Sequence, residues 1–494
     1  MPDLRLHVQC VAVALICAAC AAGPDFQPPS ATPDGAAYSA EPLPGTTQAT
    51  AAPQGTPQRL LVGQQIRAQW WTLFGSRELD QLVAKAFEAN PNVEAAKSSL
   101  RVAQENAAAQ RTQFFPSISV GYAFNRTKQS GAVPAASTPT PSTLAADSLY
   151  NFHTAQLTVG FVPDVFGGNR RSLEALQAQA DFERWQVQAT YLSLASNVAG
   201  AAIQDAVLRS QVQVVQAMIA SGEESLRIVQ RQWRAGAVSH LEVALQESTL
   251  AQTRQQLPPL RKQLEQNRDL LCSLIGAPPS AAIPQFELND LELPADLPVS
   301  LPSQLVEQRP DLLAAMAQLH AASAQIGVAR AARLPQFSIS GNIGGGAMQV
   351  ADLFSPGGRF FSFLAGITQP IFDAGALRHR EAAARANYEV AAAQYRAAVL
   401  TALQNVADAL HAVQEDSGAI SIAASNASSA HQVLDLTQRQ YGHGYLDRVA
   451  LINATQSDRQ ASMSLLQARA GRLSDTIALF QALGGSWVQS KDGQ

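Results

Sequence analysis

The sequence predicts a mainly α-helical protein that also carries a membrane β-barrel part. Three observations lead to this fold class: long proline-free stretches with a heptad pattern of apolar residues, four short segments of apolar–polar alternation, and an internal repeat. Apolar residues make up 47% of the 494 residues but aromatic residues only 6%, which favours closely packed helices over a broad globular core. The expected architecture is long coiled-coil helical hairpins plus four strands per chain.

The charge balance argues against one large class of partner. The chain has 35 basic and 39 acidic residues and a net charge of -4, so the sequence predicts no surface for nucleic acid. The apolar content is also too high for a disordered chain.

The N-terminus, residues 1–19, has the features of a lipoprotein signal peptide. An apolar core at 11–16 (VAVALI) is followed by small residues directly before Cys20, as a lipoprotein signal peptidase requires. Cys20 is therefore the predicted lipidation site, with N-palmitoyl and S-diacylglycerol groups and no other cofactor. An ordinary signal with an A-x-A-like cleavage site is the alternative. No later apolar stretch predicts a transmembrane helix, and Cys272, the one remaining cysteine, is typical of an inert core residue.

The chain repeats itself. Matching segments recur in its second half: 90–92 (NPN) with 309–311 (RPD) and 115–119 (FPSIS) with 334–338 (LPQFS) at an offset of 219, 165–166 (VF) with 371–372 (IF) at 206, and 274–276 (LIG) with 482–484 (ALG) at 208. The change of offset predicts a longer loop at 126–150 in the first half. The predicted organisation is a lipidated tether at 20–69, a first repeat at 70–276, a linker at 277–302, a second repeat at 303–485 and a C-terminal tail at 486–494.

Each repeat contains two predicted strands, at about 115–126 and 151–163 and at about 334–345 and 359–371. In the first strand Ile118, Val120, Tyr122 and Phe124 share one face, and small polar residues share the other. The lengths suit tilted membrane strands, although a soluble antiparallel sheet has the same alternation. Four strands cannot close a barrel, and open edges are not tolerated in lipid, so several chains must pool their strands.

Each repeat also contains a helical hairpin, at about 168–276 and about 375–484. A 4-3 apolar spacing from 187 to 233, interrupted by Asp205, indicates supercoiling helices of roughly 100 Å. Both hairpins turn at a Gly-containing segment, 234–240 (RAGAVSH) and 442–448 (GHGYLDR), where Ser239 and Asp447 can cap the returning helices.

These features together resemble the outer-membrane factor family of tripartite efflux and secretion systems, the TolC-like, OprM-like and NodT-like lipoproteins. The matching motifs run through the whole mature chain: 20–26 (CAAGPDF), 70–74 (WWTLF), 90–91 (NP), 309–312 (RPDL) and 369–375 (QPIFDAG). No single motif is decisive, but their order along the chain is specific to the family.

The resemblance implies a homotrimer with a 12-stranded barrel in the outer membrane and a helical tunnel in the periplasm. It implies a passive duct for a periplasmic adaptor and an inner-membrane transporter. The hairpin turns would form the periplasmic end and dock the adaptor through the following residues: Arg234, Gly236, Ala237, Val238, Ser239, Gly442, Gly444, Tyr445 and Leu446. The pore constriction would involve Tyr441, Asp447 and Asn453. Family members often have Asp where this chain has Asn453; a helix-cap role for Asp447 and a solvated or interhelical role for Asn453 are the alternatives.

No motif points to catalysis or to a metal site. The sequence contains no H-E-x-x-H, no two C-x-x-C motifs that could form a pair, no G-x-S-x-G and no P-loop, so we expect no enzyme. The leading interpretation is the outer-membrane channel of a tripartite efflux system. The duct of a type I protein secretion system is the alternative, followed by a stand-alone porin and a soluble coiled-coil protein.

Overall fold

A computed structural model describes residues 22–29, 37–39, 44–64, 66–129 and 148–485. Cys20, the predicted signal peptide, most of the predicted loop and the C-terminal tail lie outside these residues. The helices are α1 (Arg77–Ala89), α2 (Pro91–Arg111), α3 (Gly168–Arg234), α4 (His240–Leu274), α5 (Pro302–Gln308), α6 (Pro310–Ala331), α7 (Ala376–Gly442) and α8 (Arg448–Ala482). The strands are β1 (Arg59–Val62), β2 (Ser117–Gln129), β3 (Ser148–Phe161), β4 (Asp296–Val299), β5 (Gln336–Ala347) and β6 (Arg359–Thr368).

Four strands form one antiparallel sheet in the order β2-β3-β5-β6. Each repeat supplies two neighbouring strands, and β3 and β5 join the two repeats at the centre. Among the described residues, β2 and β6 are therefore the edges of the sheet, and each has one side without a strand partner.

Two very long helices dominate the chain. Helices α3 and α7 have 67 residues each, about 100 Å at 1.5 Å per residue, and α4 and α8 return with 35 residues each. Asp205, the polar residue in the heptad seam, is 1% exposed and forms an ion pair with Arg209 at 2.8 Å. Its carboxylate also accepts a hydrogen bond from the backbone N–H of Phe286 in the linker. Asp205, which interrupts the apolar seam, thus connects the linker to α3 by a hydrogen bond.

The contacts divide the chain into two compact units, and each unit draws on both repeats. One unit contains the four-stranded sheet and comprises 102–180 and 317–392 with the N-terminal residues to 28. The other comprises 29–101, 181–316 and 393–494 and contains α4 and α8. The repeats are therefore intertwined in sequence and are not separate domains.

Three of the family-like motifs, at 70–74, 90–91 and 309–312, lie at the ends of the returning helices in the second unit. Trp70 begins a short 3-10 helix and stacks on Phe480 of α8 at 5.4 Å. Asn90 donates a side-chain hydrogen bond to the carbonyl of Leu274 at the end of α4. Arg309, its counterpart in the second repeat, donates to the carbonyl of Ala482 at the end of α8. Both residues satisfy C-terminal carbonyls that a helix leaves unpaired.

Part of the predicted tether is not free chain. Residues 59–62 form β1, which pairs in parallel with β4, and both strands fall in segments that the sequence analysis treated as connections. The side chain of Gln58 is fully buried and accepts a hydrogen bond from Arg472 of α8. Arg472 also donates to the Thr47 hydroxyl and to the Thr56 carbonyl. The sequence did not predict this attachment, because the proline content indicated an extended tether and a four-residue strand gives almost no periodic signal.

One described helix is long and apolar enough to cross a membrane, contrary to the sequence expectation. Helix α6 has a window of mean hydropathy 1.3, but half of that window is buried inside the protein. Leu312 and Leu319 are 1% and 0% exposed, respectively. Burial against the rest of the chain accounts for the apolar character of α6 without a membrane.

Candidate functional site

One face of the four-stranded sheet is a continuous apolar surface. The register places Ile118 opposite Val159, Val120 opposite Leu157 and Ile343 opposite Phe361. Directly paired residues lie on the same face, so the apolar positions of all four strands coincide. Val120 is 80% and Phe361 is 82% exposed, although both are large apolar side chains. An apolar surface of this kind on a sheet is a membrane or protein contact surface.

The opposite face is small and polar for most of its length. Its residues include Ser119, Thr158 and Asn342, and the Ser362 hydroxyl donates to the Asn342 side chain at 2.7 Å. At one end, Phe152 and Phe360 flank Gly346, where a Cβ atom would meet the Phe152 ring at 3.0 Å. Polar residues inside and apolar residues outside are the arrangement of a membrane barrel strand.

The two hairpin turns, 235–239 and 443–447, have the same backbone structure. In the first, Gly236 has φ +74 and the N–H of Ala237 donates to Gln232 five residues back. In the second, Gly444 has φ +77 and the N–H of Tyr445 donates to Gln440. This pattern with glycine in the left-handed region is a Schellman helix end. The offset of 208 between the turns is that of the sequence repeat.

The predicted docking residues lie on or beside these turns, and most are exposed. Arg234 and Gly442 are the last residues of α3 and α7. Tyr445 is 81% exposed, whereas Val238 and Leu446 are half-buried. Ser239 occupies the N-cap position of α4, but its side chain makes no cap hydrogen bond, contrary to the sequence expectation.

The three predicted constriction residues have different environments. The Asp447 carboxylate accepts a hydrogen bond from the N–H of Ala450 at 2.9 Å and so caps α8. Tyr441 is half-buried, and its carbonyl accepts from the N–H of Gly444. Asn453 is exposed and lines a groove of about 930 Å³ among α3, α4, α7 and α8.

This groove contains polar groups that the sequence analysis missed. Most of its lining residues are Ser, Thr, Gln and Arg. Arg448 reaches across it and donates to the carbonyl of Ser225 in α3 at 2.7 Å, which joins the two hairpins. Burial lowers the pKa of the Arg459 guanidinium, and the charge of Asp458 partly offsets that effect. The only sequence signal for Arg448 was its place directly after the capping Asp447.

The chain just after Cys20 is firmly held. The N–H of Ala22 donates to the carbonyl of Phe166, and Asp25 forms an ion pair with Arg171 at 2.7 Å. The ring of Phe26 stacks on His320 of α6 at 4.4 Å. Gly23 and Gly327 approach so closely that a Cβ atom on Gly23 would lie 2.5 Å from the Gly327 Cα.

No cluster of three metal-ligating side chains occurs among the described residues.

Comparison with known proteins decides the family. The sequence profile described as "Outer membrane efflux protein" matches residues 82–277 and 301–485. The chain belongs to the outer membrane efflux protein family. This efflux protein is 30% identical over 433 residues to the pyoverdine export outer membrane protein OpmQ of Pseudomonas aeruginosa, covering 86% of this chain and 89% of OpmQ. It is 27% identical over 424 residues to the outer membrane protein OprJ of the same species, covering 85% and 87%.

The fold of this efflux protein is that of solved outer-membrane channels. The outer-membrane channel OprN superposes with a TM-score of 0.81 at 24% identity, covering 95% of this chain and all of the OprN chain. The predicted resemblance and the mainly helical TolC-like fold are therefore confirmed. The relatives are outer-membrane channels and not enzymes.

Proposed function

We propose that three copies of this efflux protein form a passive duct with one 12-stranded barrel in the outer membrane and a helical tunnel in the periplasm. The observation that carries the proposal is the four-stranded sheet with an exposed apolar face and, among the described residues, two edges without a strand partner. A sheet edge in lipid leaves backbone groups unpaired, at a cost of several kcal/mol for each group. The order β2-β3-β5-β6 is antiparallel throughout, so β6 of one copy can pair with β2 of the next without breaking the alternation.

The duct serves a periplasmic adaptor and an inner-membrane transporter that supply substrate and energy. The chain offers transport surfaces and, among the described residues, no metal-ligating cluster. The names of OpmQ, a pyoverdine export protein, and of the toluene efflux protein TtgF favour small molecules over proteins as cargo. A type I secretion duct remains the second candidate, since the same hairpins would serve it.

The hairpin turns form the periplasmic end, where the adaptor docks and the pore narrows. The exposed residues around Gly236 and Gly444 supply the docking surface, and Tyr441, Asp447 and Asn453 lie at or just beyond the second turn. Because Asp447 already caps α8, its carboxylate carries both a structural and a pore role. Asn453 gives the groove a neutral polar group at the position where the family resemblance implies an acidic one.

A transport assay tests the proposed function. Deletion of the gene should raise intracellular accumulation of at least one fluorescent dye or drug, and the wild-type gene should restore efflux. A Gly444→Val variant should restore it poorly, since a β-branched side chain at φ +77 costs roughly 1–2 kcal/mol and distorts the turn. Gly200→Ala is the control, because Gly200 lies inside α3 away from both turns, and nothing beyond its own helix lies within 4 Å of its Cβ position. Unchanged accumulation across a broad panel would contradict the efflux role.

Lipidation at Cys20 anchors the chain to the outer membrane in this proposal. The support is the sequence before Cys20 and the close attachment of residues 22–26. Metabolic labelling with a palmitate analogue should mark the wild-type chain and not a Cys20→Ala variant. A Cys272→Ala variant should keep the label, and labelled Cys20→Ala protein would place the anchor elsewhere.

A further inference from the structure

The turn between β3 and α3, residues 162–167, packs against the start of β5 and the end of α6. We call it the first elbow. The Phe166 ring lies 6.2 Å from the ring of Phe337 at the start of β5. Phe166, Pro335 and Phe337 line the same small cavity of about 240 Å³. A Cβ atom on Gly168 would lie 3.3 Å from the Ala331 side chain, so the elbow and the end of α6 are in close contact.

The second elbow, residues 369–375 between β6 and α7, is the repeat counterpart of the first but is bare. Ile371 and Phe372 correspond to Val165 and Phe166, and both are 90% exposed. The Asp373 carboxylate accepts hydrogen bonds from the N–H groups of Gly375 and Leu377. These bonds fix the backbone of the elbow, so the exposed apolar pair is held in place.

The counterpart of the receiving surface is bare as well. Leu334, Pro335 and Phe337 correspond at offset 219 to Phe115, Pro116 and Ile118 at the start of β2. Phe115 and Ile118 are each 68% exposed. The two bare surfaces lie at opposite edges of the sheet, three strand spacings or about 14 Å apart. One chain therefore cannot bring its own Ile371–Phe372 onto its own Phe115–Ile118.

The two long helices show the same contrast just beyond the elbows. In α3, Ala175 and Ala178 are buried, at 4% and 2% exposure. Their counterparts in α7 at offset 208, Ala383 and Ala386, are exposed. The alanine surface beside the first elbow is thus buried within the chain, whereas the equivalent alanine surface of α7 beside the second elbow is exposed.

We propose that Ile371 and Phe372 of one copy pack against Phe115, Pro116 and Ile118 of a second copy of this chain, which reproduces the internal contact of Phe166 with Phe337. The inference rests on the trimer of the proposed function. The proposal also fixes the register between the copies. Within one chain Phe161 of β3 pairs with Ile339 of β5. Their repeat counterparts are Ile367, at an offset of 206, and Val120, at an offset of 219, so Ile367 of one copy should lie opposite Val120 of the next. We assign the occupant as another copy of this chain because, within one chain, the first elbow already packs against the start of β5. The second elbow and the start of β2 are the repeat counterparts of these two surfaces.

Cysteine cross-linking between differently tagged chains tests the contact. In a Cys272→Ser background, one chain carries Phe372→Cys and a co-expressed chain carries Phe115→Cys. A short bismaleimide applied to isolated outer membranes should shift the chains into a covalent dimer that contains both tags. A contact to lipid or to another protein would give no such dimer and would overturn the proposal.

Two controls set the background of this experiment. Phe372→Cys combined with Phe337→Cys on the second chain should give no mixed dimer, since Phe337 lies on the central strand β5 and already contacts the first elbow of its own chain. Phe166→Cys with Phe337→Cys in one chain should cross-link internally without a dimer band.

Native mass spectrometry and dye efflux of the same variants separate the two proposals. A trimer with normal efflux but no mixed dimer would refute the elbow contact and leave the duct intact. An absence of trimer in the wild-type chain would refute the assembly on which the contact rests.

Discussion

Among single residues, Asp416 of α7 is in an unusual place for a carboxyl group. It is partly buried within the second hairpin and faces Asp475 and Arg472 of α8. Burial raises the pKa of Asp416 to about 7, and a hydrogen bond and the charge of Asp475 act in the same direction, whereas Arg472 opposes them. The carboxyl group is therefore protonated in the folded chain at pH values where an exposed Asp is charged.

This raised pKa makes the stability of the folded chain fall as the pH rises from about 4 to about 7. In that window the unfolded Asp416 has released its proton and the folded one still holds it. An Asp416→Asn variant should lose this decline, match the wild type near pH 4 and exceed its stability at pH 8. Urea unfolding in detergent between pH 4 and pH 8 measures the difference. Glu415→Gln, at the exposed neighbour, should behave like the wild type; an equal effect there would contradict the assignment to Asp416.

Residue types were easier to predict from the sequence than residue partners. The glycines of both hairpin turns were identified because only glycine readily adopts the left-handed backbone at a helix end. Ser239 and Asp447 were equally good cap candidates, but only Asp447 caps through its side chain. Partners such as Gln58 for Arg472 lie more than 400 residues apart, and no local pattern encodes them.

Among the elements, α4 contains a feature that its counterpart lacks. Pro258 and Pro259 lie inside this 35-residue helix, whereas α8 has Leu466 and Gln467 at the equivalent positions. Each proline removes a backbone N–H donor from the helix interior, at a cost of roughly 3 kcal/mol relative to alanine. The first hairpin therefore has a weak point about halfway along its returning helix, and the second does not.

Replacing both prolines by alanine should stabilise the first hairpin, by up to about 3 kcal/mol for each proline. Thermal unfolding followed by circular dichroism should give a higher midpoint for the double variant. The matched double variant Leu466→Ala with Gln467→Ala should give no gain, because it restores no hydrogen bond. A lower midpoint for the proline variant would mean that the tertiary contacts of α4 require the break.

Long elements were predictable and short ones were not. The heptad seam extends over many turns, so it indicates α3 without reference to any other part of the chain. Strand β1 has four residues and acquires its structure from pairing with β4, which lies more than 230 residues away. The hydropathy of α6 was also misjudged, because burial in a packed helical layer and burial in lipid select the same residues.

For the molecule as a whole, we expect neighbouring residues of the sheet to tolerate charged substitutions differently, because one face contacts lipid and the other faces water. Leu157 lies on the apolar face of β3, and its neighbour Gln156 lies on the polar face. A lysine on the lipid face of a barrel costs about 2–4 kcal/mol near the middle of the membrane. Leu157→Lys should therefore reduce the amount of trimer in the outer membrane, and Gln156→Lys should not. Membrane fractionation with native electrophoresis gives the result, and equal loss in both variants would contradict the assigned faces.

The attachment of residues 22–26 limits the distance between the proposed lipid anchor at Cys20 and the folded part of the chain. Ala22 is held to the β3–α3 turn by its own backbone N–H, and only Ala21 lies between it and Cys20. Two residues of extended chain span at most about 7 Å. The proposed acyl chains would thus enter the bilayer within a few ångströms of that turn, in the same leaflet as the adjoining ends of the strands. The proposed lipid anchor would therefore fix the depth of the barrel in the membrane, which an anchor on a long flexible tether could not do.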